Sequence, residues 1–366
     1  STAGVLCTKV SRYTERTYSR ARLLTPLRRV GRKGEGRFEP VSWDVALDAI
    51  ARKLTEIRDT TGPQGVANKT SGRLPRGTGS IIGRFFDLYG SPNATDVGPV
   101  CNDAGGNALA WTFGLGNFTN GYGVDPSTGK EDLGSSRFFL FLGTNQAETH
   151  PVTFEYLLRA REKTGAKLVV VDPRKTPTSA YADQYLAIRP GTDMALAYGM
   201  LAHIIEKELY DKAFVQQWVV GFDELRTHIK TQGFSPEWAE PITTVPAQTI
   251  RALAEQFAAA KPAAIFCNAG ISHQLNSFHT YRALAFLSAI TGNIGQPGGG
   301  CNFMHNTWPG GLDLPAVAGT LPKKETALPV GPDWFATSIL ESTPYKLRAI
   351  FMEGNPIVDS ANSARV

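Results

Sequence analysis

The sequence predicts an α/β fold with mostly parallel sheets, and one stretch of the chain carries this prediction. Phe138–Leu142 (FFLFL) and Lys167–Val171 (KLVVV) are continuous apolar runs, which is typical of strands buried on both faces of a parallel sheet. Between them, Pro151–Thr164 repeats apolar residues at helical spacing, and Gly165 is placed to end that helix. Strand, helix and strand in this order predict a βαβ unit, whose two strands run in the same direction.

The same alternation continues on either side of this unit. Ser42 is a plausible N-cap for a helix that starts at Trp43 and carries an apolar stripe to Leu54. Residues 96–116 are rich in glycine, which predicts backbone close to a large neighbour, and residues 295–300 are predicted to form a loop. Further predicted helices are Thr78–Tyr89, Met194–Lys207, Pro246–Ala260 and Thr280–Thr291, and further predicted strands are Gln184–Ile188, Ala263–Cys267 and Arg348–Met352.

Length and composition exclude several classes of protein. A chain of 366 residues exceeds the about 250–300 at which single cores stop growing, so two or more lobes are expected. A hydrophobic content of 42% and a charged content of 19% are typical of a soluble globular protein. No apolar run approaches the about 20 residues of a membrane span, and a net charge of +5 is too mild to indicate a nucleic-acid partner.

The cysteines and the two termini give little support to a secreted protein. Four cysteines without a CxxC pair do not indicate a disulfide scaffold in a chain of this length. The first residues have neither the charged region nor the apolar region of a signal peptide, and both ends of the sequence look cut. A soluble protein of either the cytoplasm or the periplasm is consistent with these features.

Polar side chains follow the two strands of the βαβ unit, at the edge where open α/β sheets bind ligands. No GxGxxG motif follows either strand, so the common dinucleotide fingerprint is absent. Gly143 would let a phosphate approach the backbone, Asp172 would hold a ribose or a guanine edge, and Arg174 would pair with a phosphate. Ordinary capping of βα loops is the alternative explanation.

Several motifs, in their order along the chain, carry a resemblance to a known family. They are GVLCTK, RLLTPLRRVGRKGEGRFEPVSWDVALDAIA, GTNQAETHP, VDPRK, GTDMALA, TGNIGQPGGG and EGNP. Together they resemble the cysteine-ligated nitrate reductases and formate dehydrogenases of the dimethyl sulfoxide reductase superfamily. These are molybdopterin oxidoreductases that carry molybdenum or tungsten with two pyranopterin guanine dinucleotides (bis-MGD). The chain looks like the N-terminal half to two-thirds of such an enzyme.

The resemblance implies two interleaved Rossmann-like lobes, preceded by a remnant of an N-terminal iron–sulfur domain. The remnant would span residues 1–40. One α/β lobe would be split between residues 41–96 and 283–366. The lobe that carries the metal ligand and a guanine dinucleotide site would span residues 97–282.

For the metal, the resemblance implies Cys101, because this residue falls where the family places the cysteine that binds molybdenum or tungsten. A thiolate is a soft ligand that suits either metal, whereas a small buried residue in a glycine-rich segment is the alternative. Asn102 follows it where formate dehydrogenases have a histidine. Arg282 falls where those enzymes hold an arginine for the formate carboxylate, but it recurs in relatives with other substrates, so a structural role is open.

The other implied site residues serve the cluster and the cofactor. Cys7 matches one ligand of a [4Fe-4S] cluster, whose other three cysteines would lie upstream, and Lys9 matches the lysine between cluster and pterin. His150 is otherwise a plain helix-start residue, and His273 and His279 either enter a substrate funnel or pack. Positions that match the guanine dinucleotide sites are Gly143, Asn145, Glu148, His150, Asp172, Arg174, Gly191, Asp193, Gly270 and Asn355.

The implied function is two-electron chemistry on a small-molecule substrate, with electrons exchanged through Lys9 with an electron-transfer subunit or a redox carrier. Nitrate reduction is the first prediction and formate oxidation the second, because Asn102 leaves formate oxidation without its expected base. Reduction of sulfur or arsenic oxyanions is open. So is a non-redox lyase like acetylene hydratase, since Val100-Cys101-Asn102 is similar to the ligand segment of that branch. A metal-free structural subunit is the last alternative, and Cys101 argues against it.

Overall fold

The structure, a computed structural model, describes residues 6–69, 78–95, 101–114, 132–303 and 335–353. The chain forms two compact units, each made of two segments. The first unit comprises Ser1–Cys7 and Cys101–Thr307, and the second comprises Thr8–Val100 and Trp308–Val366. None of the helices in the described ranges has both the length and the apolarity that crossing a bilayer requires.

Helices and strands alternate along most of the described chain. The helices are α1 (Tyr13–Thr17), α2 (Trp43–Thr60), α3 (Thr78–Tyr89), α4 (Asp103–Phe113), α5 (Gln146–Thr149), α6 (Pro151–Thr164), α7 (Asp193–Glu206), α8 (Lys212–Trp218), α9 (Phe222–Gln232), α10 (Pro236–Thr243), α11 (Ala247–Ala259), α12 (Ala269–Ser272), α13 (Ser277–Ile290) and α14 (Phe335–Leu340). The strands are β1 (Leu27–Arg29), β2 (Phe38–Pro40), β3 (Val66–Lys69), β4 (Ala94–Thr95), β5 (Phe138–Leu142), β6 (Lys167–Val171), β7 (Gln184–Leu186), β8 (Ala263–Cys267), β9 (Gly300–Phe303) and β10 (Ala349–Met352).

The first unit is built on a five-stranded parallel sheet in the order β7-β6-β5-β8-β9. The central strand β5 is buried along its whole length, because helices cover both faces of the sheet. Its alternate residues divide between two cores. Phe138, Leu140 and Leu142 join the larger core with α7, α11 and α13, and Phe139 and Phe141 join a smaller core with α6.

The chain reverses its direction of travel across this sheet between β5 and β8. From β5 it moves to β6 and β7, and it then returns to β8 and β9 on the opposite side of β5. The loops after β5 and β8 touch, since the Gly270 amide donates to the Gly143 carbonyl at 3.0 Å. A Cβ on Gly270 would lie 2.6 Å from the Gly143 Cα, and Gly143 has a φ of +56°. Both positions therefore need glycine, and their contact marks the topological switch point of the sheet.

Helix α4 packs closely against α13 and the end of β9. A Cβ on Gly105 of α4 would lie 2.7 Å from the Phe303 ring and 2.9 Å from the Tyr281 ring. Those two rings meet edge to face with their centroids 5.5 Å apart. Only a residue without a side chain lets α4 approach both rings at this point.

The second unit is built on a three-stranded parallel sheet in the order β10-β3-β4, and it also contains the antiparallel hairpin β1-β2. Leu54 of α2 and Phe86 of α3 join Val66 of β3 in one core of this unit. Ser42 caps α2, because its side chain accepts a hydrogen bond from the Val45 amide at 3.3 Å. The predicted N-cap is therefore confirmed.

An apolar groove of about 600 Å³ opens between α2, α3 and β10 of the second unit. Its lining includes Leu47, Ile50, Ile81 and Phe85, which are 39% to 58% exposed. Strand β10 forms one edge of the sheet beside the groove. The described part of this unit thus presents apolar side chains to solvent next to a strand edge.

The α/β fold class with parallel sheets is confirmed. Strands β5, β6 and β8 and helices α3 and α6 have the predicted bounds, and Gly165 ends α6 with a φ of +68°. Strand β7 ends two residues before the predicted Ile188, and α13 begins at Ser277 rather than Thr280. The loop predicted over residues 295–300 is wrong at its last residue, because Gly300 pairs with Ala264 and opens β9.

The predicted domain assignment stays a prediction, and so does the iron–sulfur character of residues 1–40. One of its boundaries, at residue 282, falls inside α13. This helix is continuous and belongs as a whole to the first unit, as does β9 after it.

We expect the same substitution at two helical glycines to change stability in opposite directions. In Gly105→Ala the new methyl group meets two aromatic rings, and overpacking of this kind costs about 1–3 kcal/mol. In Gly83→Ala, within α3, the methyl group has nothing within 4 Å. Helix propensity then stabilises the variant by about 0.5–1 kcal/mol. Urea unfolding measures both changes, and a Gly105→Ala variant as stable as the wild type would contradict the packing of α4 described above.

Candidate functional site

Four loops of the first unit meet at one edge of its sheet, because β5, β6, β7 and β8 are parallel and end there. The structure places most of the predicted nucleotide residues in these loops. They are Gly143, Asn145, Glu148 and His150 after β5, Asp172 and Arg174 after β6, Gly191 and Asp193 after β7, and Gly270 after β8. What each of them binds stays a prediction.

Asn145 ties the loop after β5 to the loop after β6. Its Oδ1 accepts hydrogen bonds from the Thr178 hydroxyl at 2.7 Å and from the Thr178 amide at 3.3 Å. Its Nδ2 donates to Glu148 Oε2 at 2.6 Å. Thr178 also accepts from the Ala147 amide at 3.0 Å. The Oδ1 of Asn145 therefore holds the two loops together and its Nδ2 braces the loop after β5, a role that its sequence position did not reveal.

Gln146, which the sequence did not single out, is the first residue of α5 and is completely buried. Its Nε2 donates to the Thr144 hydroxyl at 3.1 Å. Its Oε1 is buried without a hydrogen-bond partner among the described residues. No sequence signal separates Gln146 from its polar neighbours, since the distinction depends on burial.

Two buried carboxyl groups follow β6 and β7. Asp172 is 7% exposed and Asp193 is 6% exposed, and the Arg174 amide donates to Asp172 Oδ1 at 3.0 Å. Burial raises the pKa of Asp193 to about 6, and the negative charge of Asp172 adds to the rise, while a backbone hydrogen bond opposes it. This edge of the sheet therefore offers two acceptors, one of which exchanges its proton near neutral pH.

Cations lie at the rim of the same loops. Arg174, Lys175 and Arg189 are exposed, and the Lys175 ammonium lies 6.0 Å from the centre of the Tyr185 ring. The Tyr185 hydroxyl in turn donates to the Asp172 carbonyl at 2.9 Å. Buried acceptors with cations outside them suit a ligand that carries N–H or O–H groups at one end and phosphates at the other.

A buried hydrogen-bond network anchors the loop after β8. The Tyr281 hydroxyl donates to the Asn268 carbonyl at 3.0 Å and lies 2.8 Å from the Ser272 hydroxyl. Burial raises the pKa of Tyr281 well above its ordinary value. Burial, together with a hydrogen bond to Cys301, likewise raises the pKa of the Cys267 thiol. The Tyr281 hydroxyl and the Cys267 thiol therefore stay protonated, which makes them unsuited to act as nucleophiles. The hydrogen bonds of Tyr281 hold the loop in place.

Cys101 lies two residues before α4 and is partly exposed. Asn102 occupies the N-cap position of α4 but makes no capping hydrogen bond with its side chain. Its Oδ1 is buried, and the described residues offer it no hydrogen-bond partner. An unsatisfied acceptor therefore belongs to the residue next to the predicted metal ligand.

Arg282 lies on α13, with its guanidinium 5.3 Å from the centre of the Phe286 ring. Burial raises the pKa of Tyr198 on α7, and the positive charge of Arg282 opposes that rise, which places the two side chains near each other. The Nε atom of Arg282 is buried and has no partner within the described ranges. Contact of Arg282 with a substrate stays a prediction.

The predicted cluster and pterin residues at the start of the chain are exposed or partly exposed. Lys9 is exposed and Cys7 is partly buried. Within the described ranges, no three His, Cys, Asp or Glu side chains come together as candidate metal ligands. Asn355 lies outside the described residues.

The three histidines considered in the sequence differ in their surroundings. The Nδ1 of His150 lies 2.9 Å from the Thr149 hydroxyl at the start of α6. His273 and His279 are exposed, and the His279 ring meets the Phe278 ring edge to face at 5.4 Å. Their predicted place in a substrate funnel is untested.

Comparison with protein families matches residues 22–366 to the family described as Molybdopterin oxidoreductase. The chain belongs to the molybdopterin oxidoreductase family. It is 33% identical to "Probable oxidoreductase YoaE" of Bacillus subtilis (strain 168), over 100% of this chain and 52% of that protein. It is 35% identical to "Formate dehydrogenase H" of Escherichia coli (strain K12), over 82% of this chain and 41% of that protein.

The chain is also similar in fold and sequence to a solved structure. The chain is similar to "Acetylene Hydratase from Pelobacter acetylenicus", with a TM-score of 0.69 and 34% identity, over 80% of this chain and 38% of that chain. The family resemblance predicted from the motifs is confirmed. The chain spans about half the length of the curated relatives it matches, or less.

The family implies a cofactor of molybdenum or tungsten with a pterin, and side chains of the first unit fit such a group. Asn102 Oδ1, Gln146 Oε1 and Arg282 Nε are buried polar atoms that lack a partner among the described residues. A polar ligand satisfies atoms of this kind. All three belong to the unit that also contains Cys101, whose sulfur is the soft donor that these metals prefer.

The raised pKa of Asp193 predicts stability that depends on pH with a definite sign. The folded value of about 6 lies above the ordinary 3.8, so the folded protein holds this proton more tightly than the unfolded chain does. The resulting stabilisation, about 3 kcal/mol, is complete below about pH 4 and is lost as the pH rises through the folded value.

Asp193→Asn removes this proton exchange. Relative to the wild type, the free energy of unfolding of the variant should therefore increase as the pH is raised from about 4 to about 7. Urea unfolding at a series of pH values measures the difference between the two proteins. A difference that does not change with pH would show that the pKa of Asp193 is the same in the folded protein as in the unfolded chain.

Proposed function

We propose that the protein is a molybdenum or tungsten oxidoreductase that binds two pyranopterin guanine dinucleotides and exchanges two electrons with a small-molecule substrate. The family match over residues 22–366 carries this proposal. The sheet order of the first unit supports it, because open α/β sheets bind nucleotides at the switch point where Gly143 meets Gly270.

In this proposal Cys101 is the protein ligand of the metal, and its thiol loses a proton when the metal binds. The bound cofactor supplies the two-electron chemistry. Asn102 offers its unsatisfied amide oxygen to a hydrogen-bond donor, and Arg282 offers a positive charge to an anionic substrate.

The loops at the sheet edge would hold one guanine dinucleotide. Asp172 and Asp193 accept hydrogen bonds from N–H groups of the base, and Arg174 pairs with a phosphate at the rim. Since an ionised carboxylate is the better acceptor, binding of the base favours loss of the Asp193 proton. Glu148, His150, Gly191 and Asn355 are the further nucleotide positions that the family resemblance implies.

Electron exchange would involve parts of the molecule near the start of the chain. Lys9 would lie between the pterin and a [4Fe-4S] cluster, and Cys7 would be one of the four thiolate ligands of that cluster. The electrons would come from, or go to, a separate electron-transfer subunit or a redox carrier.

Nitrate is the first proposed substrate and formate the second. The GTNQAETHP motif resembles both groups of enzymes, and the relative "Formate dehydrogenase H" favours formate. Asn102 favours nitrate, because an amide next to the metal ligand is not a base that accepts a proton from formate. Sulfur and arsenic oxyanions are further anionic substrates that Arg282 would suit.

Hydration of an alkyne, without net electron transfer, is the second candidate function. The likeness to the acetylene hydratase structure, at a TM-score of 0.69, favours it. The segment Val100-Cys101-Asn102 is also similar to the ligand segment of that branch. Such a reaction uses a metal as a Lewis acid rather than as an electron carrier.

The cofactor proposal predicts the metal and guanine content of the purified protein. Wild-type protein should contain molybdenum or tungsten, with about two guanines per metal ion released by acid hydrolysis. Cys101→Ala should lose the metal, because it lacks the soft ligand. Cys267→Ala is the matched control, since it removes a buried thiol and should keep the metal. Plasma mass spectrometry measures both, and full metal content in Cys101→Ala would overturn the assignment of the ligand.

Three activity assays separate the candidate substrates. Dye-coupled nitrate reduction and formate oxidation detect redox activity, and acetaldehyde formation without a dye detects acetylene hydration.

Arg282→Gln should lower kcat/KM for an anionic substrate about tenfold or more and leave acetylene hydration unchanged. Asn102→His should raise formate oxidation relative to nitrate reduction, because it supplies a base. Equal activity of the wild type and Arg282→Gln on both anions would exclude Arg282 from substrate binding.

A further inference from the structure

Gln146 occupies the loop that follows the central strand of the first unit. Strand β5 pairs with β6 on one side and with β8 on the other, and the chain changes direction across the sheet at this strand. Gln146 begins α5 three residues after Gly143, whose carbonyl accepts the hydrogen bond from Gly270. The side chain therefore belongs to the switch-point loop itself.

The two amide side chains of this loop differ in what they bind. Asn145 uses both ends of its amide within the protein, on Thr178 and on Glu148. Gln146 uses one end, its Nε2, on the Thr144 hydroxyl at 3.1 Å. Its Oε1 is buried, and no described residue donates to it.

A buried carbonyl oxygen without a donor destabilises the folded protein, because its hydrogen bonds to water are lost and nothing replaces them. An apolar side chain of the same length would avoid that loss. Gln146 is 0% exposed and lies at the ligand-binding edge of the sheet. Its Oε1 nevertheless makes no hydrogen bond with any described residue. A ligand with a donor group would complete it.

We propose that Gln146 Oε1 accepts a hydrogen bond from an N–H group of the bound guanine dinucleotide, and that Asn145 is a positioning residue for the loop. This inference rests on the proposed function, which supplies the dinucleotide. It reverses the roles that the sequence suggested, because the predicted ligand-binding amide was Asn145. The neighbouring acceptors Asp172 and Asp193 bind other donors of the same ligand.

The test compares Gln146→Met, Gln146→Glu and Asn145→Leu in the 366-residue chain. Gln146→Met keeps the length of the side chain and removes the unsatisfied oxygen, and Gln146→Glu keeps an acceptor. Without ligand, the urea midpoint of Gln146→Met should be close to that of the wild type, because removal of the unsatisfied oxygen offsets the loss of the Nε2 hydrogen bond to Thr144. Asn145→Leu should lower the midpoint, because two hydrogen bonds between the loops and one within the loop after β5 are lost.

Binding is then measured by calorimetry with GDP as the probe, together with the guanine content of each purified protein. Gln146→Met should bind GDP about tenfold more weakly than the wild type, and Gln146→Glu should keep most of the affinity.

Unchanged GDP affinity and guanine content in Gln146→Met would overturn the proposal and leave the proposed function intact. Gln146→Met also loses the Nε2 hydrogen bond to Thr144, so a urea midpoint lowered by more than that one bond accounts for would overturn the proposal too, because it would show that Oε1 is engaged within the folded protein. A wild type that neither contains guanine nor binds GDP would overturn the proposed function and this inference with it.

Discussion

The backbone contact between Gly143 and Gly270 is the constraint on which the candidate site depends. The Gly143 amide donates to the Val171 carbonyl at 3.1 Å, and its carbonyl accepts from the Gly270 amide at 3.0 Å. One residue thereby joins the ends of β5, β6 and β8. Its amide and carbonyl are both used inside the protein, so glycine is required here by the approach of two loops, whatever the loops bind. The polar side chains that follow β5, β6 and β8 lie in loops whose starting points this contact joins.

The fold could be predicted where burial on both faces makes a strand visible as a continuous apolar run. Phe138–Leu142 is such a run, and its predicted bounds are those of β5. Strand β9 escaped prediction because it begins with Gly300, after a glycine-rich loop, and pairing with β8 outweighs the low strand propensity of glycine. Helix α4 escaped for a similar reason. Gly105 weakens the helical pattern in the sequence. The reason for a glycine at this position is the close packing of the Tyr281 and Phe303 rings, which only the structure shows.

The sequence predicts where most residues of the candidate site lie, but it predicts less well what each of them does. Parallel strands end at one edge, so polar residues after β5, β6, β7 and β8 could be grouped from the sequence alone. Burial decides which of them are engaged within the protein and which keep an unsatisfied atom, and a single sequence does not record burial. Asn145 and Gln146 are adjacent amides with opposite uses, and Asp193 owes its raised pKa to its surroundings. Packing therefore decides which of these polar groups are free to bind a ligand and how their pKa values shift, and the sequence alone does not show this.

The groove between α2, α3 and β10 has a consequence for handling the protein. Half-exposed side chains such as Ile50 and Ile81 stand beside a strand edge, and surfaces of this kind adhere to one another in solution. Salts that are excluded from protein surfaces strengthen such adhesion, whereas low concentrations of urea weaken it. The colloidal behaviour of this chain should therefore follow the choice of buffer salt more closely than its net charge of +5.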